Sequence, residues 1–172
     1  VIEDAAESLG SLSDEQHTGR VGLIGILSFN GNKIITTGGG GALITDDAAL
    51  ARRLKHLTTT AKQPHPWLFR HDEIGFNYRL PNLNAALGVA QMAQLDDFVA
   101  KKRKLAKYYA TWLDQWPQAT IVSEPTGARS NYWLNAMLLQ DCETRDSFLC
   151  RTNEQGIMTR PMWTPMHTLP MY

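Results

Sequence analysis

Leu23-Ile-Gly-Ile-Leu-Ser28-Phe-Asn-Gly-Asn-Lys33-Ile-Ile-Thr-Thr-Gly38-Gly-Gly-Gly41-Ala-Leu-Ile-Thr45 decides the fold. Its first five residues, with Phe29, are the apolar run of a strand suited to burial in a sheet, and Gly41 to Thr45 reads as another. Between them lies Lys33, with the Ser28 hydroxyl before it and four glycines after it that let the backbone pass close to a bulky group. On the amino-terminal side, Val1-Ile2 followed by Glu3-Asp4 reads as the end of a further apolar strand. On the carboxyl-terminal side, Thr45 or Asp46 caps a helix from about 47 to 57, with Leu50, Leu54 and Leu57 on one face. Lys55 and His56 fall near its negative end. These segments form a strand-to-helix unit of an α/β layer.

From Thr58 to Arg79 the pattern is irregular, with Pro64 and Pro66 around His65, and a loop of this length points to function or an interface. Pro81 suits the first turn of a long helix reaching about Trp116, carrying Leu83, Leu87, Ala90, Leu105 and Tyr109 at helical spacing. Beyond Pro117, Thr120-Ile-Val, Tyr132 to Leu139 and Gly156 to Arg160 read as strands, and Arg145 to Glu154 as a helix. The expected domains are therefore 1–80 as part of an α/β domain, 81–116 as a connecting helix, and 117–172 as the start of a small α+β domain.

Lys+Arg and Asp+Glu both number 17 in the 172 residues, so the formal net charge is zero and no long-range field favours nucleic acid or an anionic membrane. A small, locally recognised ligand is the better expectation. Cys142 and Cys150 lack the spacing of a metal or redox pair and read as buried or bystander thiols. No run reaches the roughly 18 apolar residues that span a bilayer, and no secretory leader is evident, so the expected location is the cytoplasm. The chain opens on Val1 directly into a strand, as if something preceded it.

An amine that forms a Schiff base needs a fixed position, hydroxyl or N–H donors for a phosphate, and a carboxylate for a ring nitrogen. Lys33, Ser28 with the glycines, and Asp4 at the carboxyl end of a strand supply all three types of group. Taken singly, Lys33 reads as a solvated lysine, Asp4 as a surface acid or helix cap, and the glycines as a flexible turn. A nucleotide P-loop fits poorly, because no Gly-Lys-Ser/Thr triplet is present. His65 and His71 with Asp72 and Glu73 share one loop without the spacing of a closed metal site, and no metal is expected. Lys101 to Lys104 reads as a solvated helix face. Trp163, His167 and Tyr172 line a pocket or pack in a core.

Glu3-Asp-Ala-Ala-Glu-Ser-Leu-Gly-Ser11, Ser28-Phe-Asn-Gly-Asn-Lys33, Thr36-Thr-Gly-Gly-Gly-Gly-Ala42 and Gly75-Phe-Asn-Tyr-Arg-Leu80 together resemble the DegT/DnrJ/EryC1/StrS family of pyridoxal 5'-phosphate (PLP)-dependent sugar aminotransferases. The wording around Phe29 to Gly41, Thr58 to Lys62 and Pro64 to Trp67 is similar to the branch serving legionaminic acid and bacillosamine-type sugars. The resemblance implies an α/β chain of fold type I, comprising part of the large, mostly parallel-sheet domain and the start of a small α+β carboxyl-terminal domain. It implies that Lys33 carries PLP and shuttles protons, and that Asp4 keeps the pyridine nitrogen protonated. Ser28 would bind the phosphate, and Asn77 the phosphate of a neighbouring subunit's cofactor, which makes the active unit a homodimer. The implied substrates are a nucleotide-linked keto-deoxy sugar and an amino acid donor, L-glutamate, in cell-surface glycan or amino-sugar synthesis.

Two positions depart from the family's usual wording. Glu7 stands where Gln or His is frequent, near the cofactor's ring hydroxyl, and either holds a proton or is kept off the phenolate by water. Asn30 replaces a frequent His after the Ser-Phe pair. The family's upstream Gly-Thr phosphate loop and stacking aromatic residue have no counterpart among these residues. Relatives that are PLP-dependent sugar dehydratases carry His where Lys33 stands, which argues against that reaction. The remaining alternative is an incomplete, non-catalytic fragment of such an enzyme.

Overall fold

A computed structural model describes residues 1–172. The chain divides into two compact units, one formed by residues 1–109 and 123–135, the other by 110–122 and 136–172.

In the first unit, β1 (Ile2–Asp4), β4 (Ile24–Ser28) and β5 (Gly41–Ile44) form a sheet in the order β1-β4-β5. The β1–β4 pair is parallel, with Asp4 opposite Ile26, and β4–β5 is antiparallel, with Ser28 opposite Gly41. Two-residue strands β2 (Leu12–Ser13), β3 (Gln16–His17) and β7 (Ala128–Arg129) make a second small sheet in the order β3-β2-β7. Ala5, Leu9, Leu27 and Ile35 form the buried core, with Phe29, Ile34, Ala42, Ile44, Leu95 and Phe98 packed around it. The apolar strands are not buried on both faces, because Val1, Ile2, Leu23, Ile26 and Leu43 remain exposed.

Helix α1 (Ala48–Thr58) is capped by Asp47, one residue later than expected, its carboxylate accepting from Ala49 and Leu50 N–H. The Thr45 hydroxyl donates to Leu23 C=O at 2.7 Å and accepts the N–H of Asp47 at 3.2 Å rather than one from the first turn, and Asp46 pairs with Arg20. The expected single helix from Pro81 to Trp116 is two helices, α2 (Asn82–Met92) and α3 (Leu95–Leu113). At the break, Gln94 N–H turns to Gln91 C=O, and the Gln94 side chain donates instead to the Ala90 carbonyl that a continuous helix would have used. The interruption places Asp96 and Asp97 in the first turn of α3, where the helix dipole favours carboxylates. Apolar spacing continues across the break, so periodicity did not reveal it.

The second unit pairs β6 (Ala119–Ile121) antiparallel with β8 (Met137–Leu139) and adds α4 (Cys142–Glu154), capped by Asp141. Trp116 and Phe148 pack with ring centroids 5.9 Å apart. Cys142 and Cys150 are both free and exposed on α4. The strand expected over 132–139 is realised only at its end, because Asn131 and Tyr132 hold side-chain bonds and a left-handed Tyr132 (φ 46°) in place of a ladder. No strand forms over 156–160. There Thr159 bonds Thr152 and Asn153 at the end of α4, which occupies the groups a strand would pair.

Candidate active site

The sheet separates Glu3 from Asp4, because adjacent residues of a strand face opposite ways. Glu3 accepts N–H bonds from Gly19 at 2.7 Å and from Gly22, and these bonds, Gly22's above all, hold its carboxyl below the usual carboxylate range. It staples the turn leading into β4. Asp4 ends β1 exposed, with Oδ1 accepting only the local Ala6 N–H at 3.2 Å. Ser28 ends β4, the parallel neighbour, and its Oγ accepts Asn30 N–H at 3.4 Å. Asp4 and Ser28 therefore stand at the carboxyl ends of adjacent parallel strands, where α/β sheets present ligand groups.

The loop after β4 is fastened from α2. Gln91 Oε1 accepts Thr36 N–H at 3.2 Å, and Asn84 Nδ2 donates to Thr37 C=O at 2.5 Å. Ile35 and Thr37 are buried beside these bonds. Gly40 takes φ +90°, and a Cβ at Gly41 would lie 2.3 Å from Leu27 C=O, so the end of the glycine run is a close crossing over β4.

Held by this frame, Lys33 lies with its side chain only 12% exposed, although Glu7, its partner, is 47% exposed. Lys33 Nζ donates to Glu7 Oε1 at 3.0 Å and stands 4.4 Å from the centroid of the Trp133 ring. Trp133 arrives from a hundred residues downstream and donates Nε1–H to Asn32 C=O at 2.5 Å. Buried Asn131 supports it, donating from Nδ2 to Glu7 and Leu9 C=O at 2.9 Å each and accepting Trp133 N–H at 2.8 Å. Reading the sequence did not reach Asn131 or Trp133. The one local signal was a polar residue and two aromatics at the head of an apolar run.

Asn77 stands apart from this group. It bridges Thr59 at the carboxyl end of α1 and is exposed. The loop around it is tied by His56 Nε2 to Asp72 at 2.7 Å and by the Arg53 guanidinium to both Glu73 oxygens. His56, Asp72 and Glu73 lie close enough to offer a metal three ligands, but Arg53 already neutralises Glu73. His65 instead accepts the N–H groups of Trp67 and Leu68, and His71 bonds Thr60 C=O. Nor is the Lys101–Lys104 face wholly solvated: Lys102 donates to Trp133 C=O and Arg103 pairs bidentately with Glu124. A cleft of about 430 Å³ lined by Ile34, Gln91, Phe98, Lys101, Lys102 and Leu105 contains none of the site residues.

The structure thus holds a shielded amine on a braced loop that follows β4, in an α/β unit whose adjacent parallel strands end in a carboxylate and a hydroxyl. The chain belongs to the DegT/DnrJ/EryC1/StrS aminotransferase family, whose model matches residues 1–172. It is 40% identical over 172 residues to EpsN of Bacillus subtilis (strain 168), assigned as a pyridoxal phosphate-dependent aminotransferase, and covers 44% of that protein. It is 38% identical to GDP-perosamine synthase of Escherichia coli O157:H7, covering 46% of it. The crystal structure of the aminotransferase TlmJ from Streptoalloteichus hindustanus superposes with a TM-score of 0.93 at 27% identity, over 99% of this chain and 46% of TlmJ. The chain thus spans less than half the length of the relatives it matches, and its fold is that of part of a fold type I aminotransferase. No helix is long and apolar enough to cross a membrane.

Proposed function

We propose that this chain supplies the lysine-bearing part of the active site of a PLP-dependent aminotransferase, acting on a nucleotide-linked keto-deoxy sugar with an amino acid, L-glutamate, as donor. The observation that carries this reading is the Lys33 amine, shielded from solvent yet bonded only through its tip to Glu7. The donor set fits the cofactor: an amine, a strand-end carboxylate with one oxygen unpartnered in Asp4, and a strand-end hydroxyl in Ser28. Bound there, PLP supplies an electron sink through which an amino group leaves one carbon and joins another.

The residues of this chain would then divide the work. Lys33 Nζ is the attachment point and the base that carries a proton between donor and acceptor carbons. Asp4 pairs with the ring N–H and keeps it charged. Ser28 Oγ donates to the phosphate, and Glu7 holds the amine when it is not engaged. Asn77 serves the phosphate of a neighbouring subunit's site, so the working form is a homodimer. The first unit belongs to the cofactor-binding domain. GDP-perosamine synthase among the relatives supports a nucleotide sugar as the acceptor class.

Incubation with PLP, borohydride reduction and peptide mapping tests this reading. A pyridoxyl group fixed on Lys33, and absent from K33A, is the expected result. A label on another lysine of the folded chain overturns it. One observation favours a second reading, that these residues fold but take PLP only within a longer protein: the open apolar face of the sheet at Ile2, Leu23, Ile26 and Leu43.

A further inference from the structure

We infer that Trp133 is a positioning residue for the Lys33 amine, its indole face and the Glu7 carboxylate forming a two-sided clamp that holds the nitrogen in one place. The inference rests on the reading of Lys33 as the reactive amine.

The residue is held by one bond from its indole and two from its backbone. Its Nε1–H is bonded to Asn32 C=O, its backbone N–H to Asn131 Oδ1, and its C=O to Lys102 Nζ at 3.1 Å. Only 8% of Trp133 is exposed, so the ring offers Lys33 a fixed face. A π-face carries partial negative charge and attracts a cation most strongly where water is excluded. Glu7 adds a full negative charge 3.0 Å away. Two different groups, contributed by segments that Asn131 ties together through Glu7 C=O, thus converge on one nitrogen. A flexible four-carbon side chain would otherwise sample many positions, and an amine that must meet the same carbon in each turnover loses rate when it wanders. The tie between Trp133 and Asn32, immediately before Lys33, fixes the ring in register with the lysine's own backbone.

The test uses the chain without cofactor. Trace acetylation by acetic anhydride reacts only with uncharged amine, and mass spectrometry reads the Lys33 peptide against exposed Lys55 and Lys104 as internal references. W133L is expected to raise relative labelling of Lys33 about fivefold, the loss of one shielded cation–π contact, while W133F retains a π-face and stays within about twofold of the parent. Because W133L also opens space and can impair folding, the second measurement replaces all five tryptophans with fluorinated analogues of nearly unchanged shape. Labelling of Lys33 should climb with each added fluorine as the ring loses its negative face. Unchanged labelling across the fluorinated series, or W133F behaving as W133L, overturns the inference. A pyridoxyl label on another lysine with the fluorine trend intact would sink the aminotransferase reading alone; a label on Lys33 without the trend would sink only the clamp.

Discussion

Glu3 and Asp4 carry the same charge on consecutive residues and do opposite jobs. Strand alternation sends Glu3 to the Gly19 and Gly22 N–H groups and leaves Asp4 at the strand end with little structural duty. D4N should therefore leave the circular dichroism and thermal melt unchanged while abolishing stable retention of PLP, read as loss of the reduced adduct on Lys33. E3Q should do the reverse at the level of stability, lowering the melting temperature by releasing the 18–22 turn. The Glu3 carboxyl is held below its ordinary value, so the stability it gives is complete above that ordinary value and fades as pH falls through the lower folded one. Destabilisation by E3Q should accordingly shrink in acid, and a melt series from pH 6 to pH 3 reads it. The places of Asp4 and Ser28 at strand ends, and of Lys33 in the loop between β4 and β5, were legible in the sequence because each lies beside an apolar run or the glycine tract. Trp133 was not, since its meeting with Lys33 is made by folding, across a hundred residues that no local pattern links.

At the scale of elements, α2 acts as the bracket for the lysine loop. Asn84 and Gln91 lie seven positions apart, two turns along one face, and take the backbone of Thr37 and Thr36 respectively. Neither contacts Lys33, yet both fix the segment that follows it. N84A and Q91A should each cost about 1 kcal/mol in urea unfolding, the typical net value of one hydrogen bond. Both should also speed amide hydrogen exchange at Thr36 to Gly38 ahead of the rest of the sheet. The helix itself was visible from Pro81 and its apolar spacing, but its length was not. The turn at Ala93–Gln94 is made by one glutamine side chain serving Ala90 C=O, a choice that apolar periodicity does not encode. The cap of α1 moved to Asp47 for a related reason: the Thr45 hydroxyl reaches across to the Leu23 carbonyl just before β4 and accepts only the N–H of Asp47 itself, not one from the first turn.

At the scale of the molecule, the unit that holds the site is closed by a segment that leaves it and returns: residues 123–135 rejoin 1–109 after the excursion through 110–122. What fastens the return is a clasp on α3. Arg103 pairs with both oxygens of Glu124 at 2.7 and 2.9 Å and donates to Ser130 C=O, while Ser130 N–H bonds the same carboxylate at 2.7 Å. Tyr132 completes it, its ring 5.5 Å from the guanidinium and its hydroxyl accepting Glu124 N–H. The clasp borders the Asn131–Trp133 stretch, so its loss should be felt at Lys33 although no clasp residue bonds that amine. The Arg103 guanidinium, ahead of the Ser130 N–H, lowers the Glu124 carboxyl to about 2. A depressed folded value means the stabilisation is fully present above the ordinary glutamate range and is lost as pH falls through about 2. E124Q should cost about 1 kcal/mol at pH 7, the upper range for a partly exposed ion pair, and progressively less below pH 4. It should also raise Lys33 acetylation by loosening Trp133, whereas R103K, which keeps the charge but not the fork, should fall between parent and E124Q. Equal Lys33 labelling in the parent and E124Q, with the stability loss present, would separate the clasp from the site and leave it a purely structural fastening.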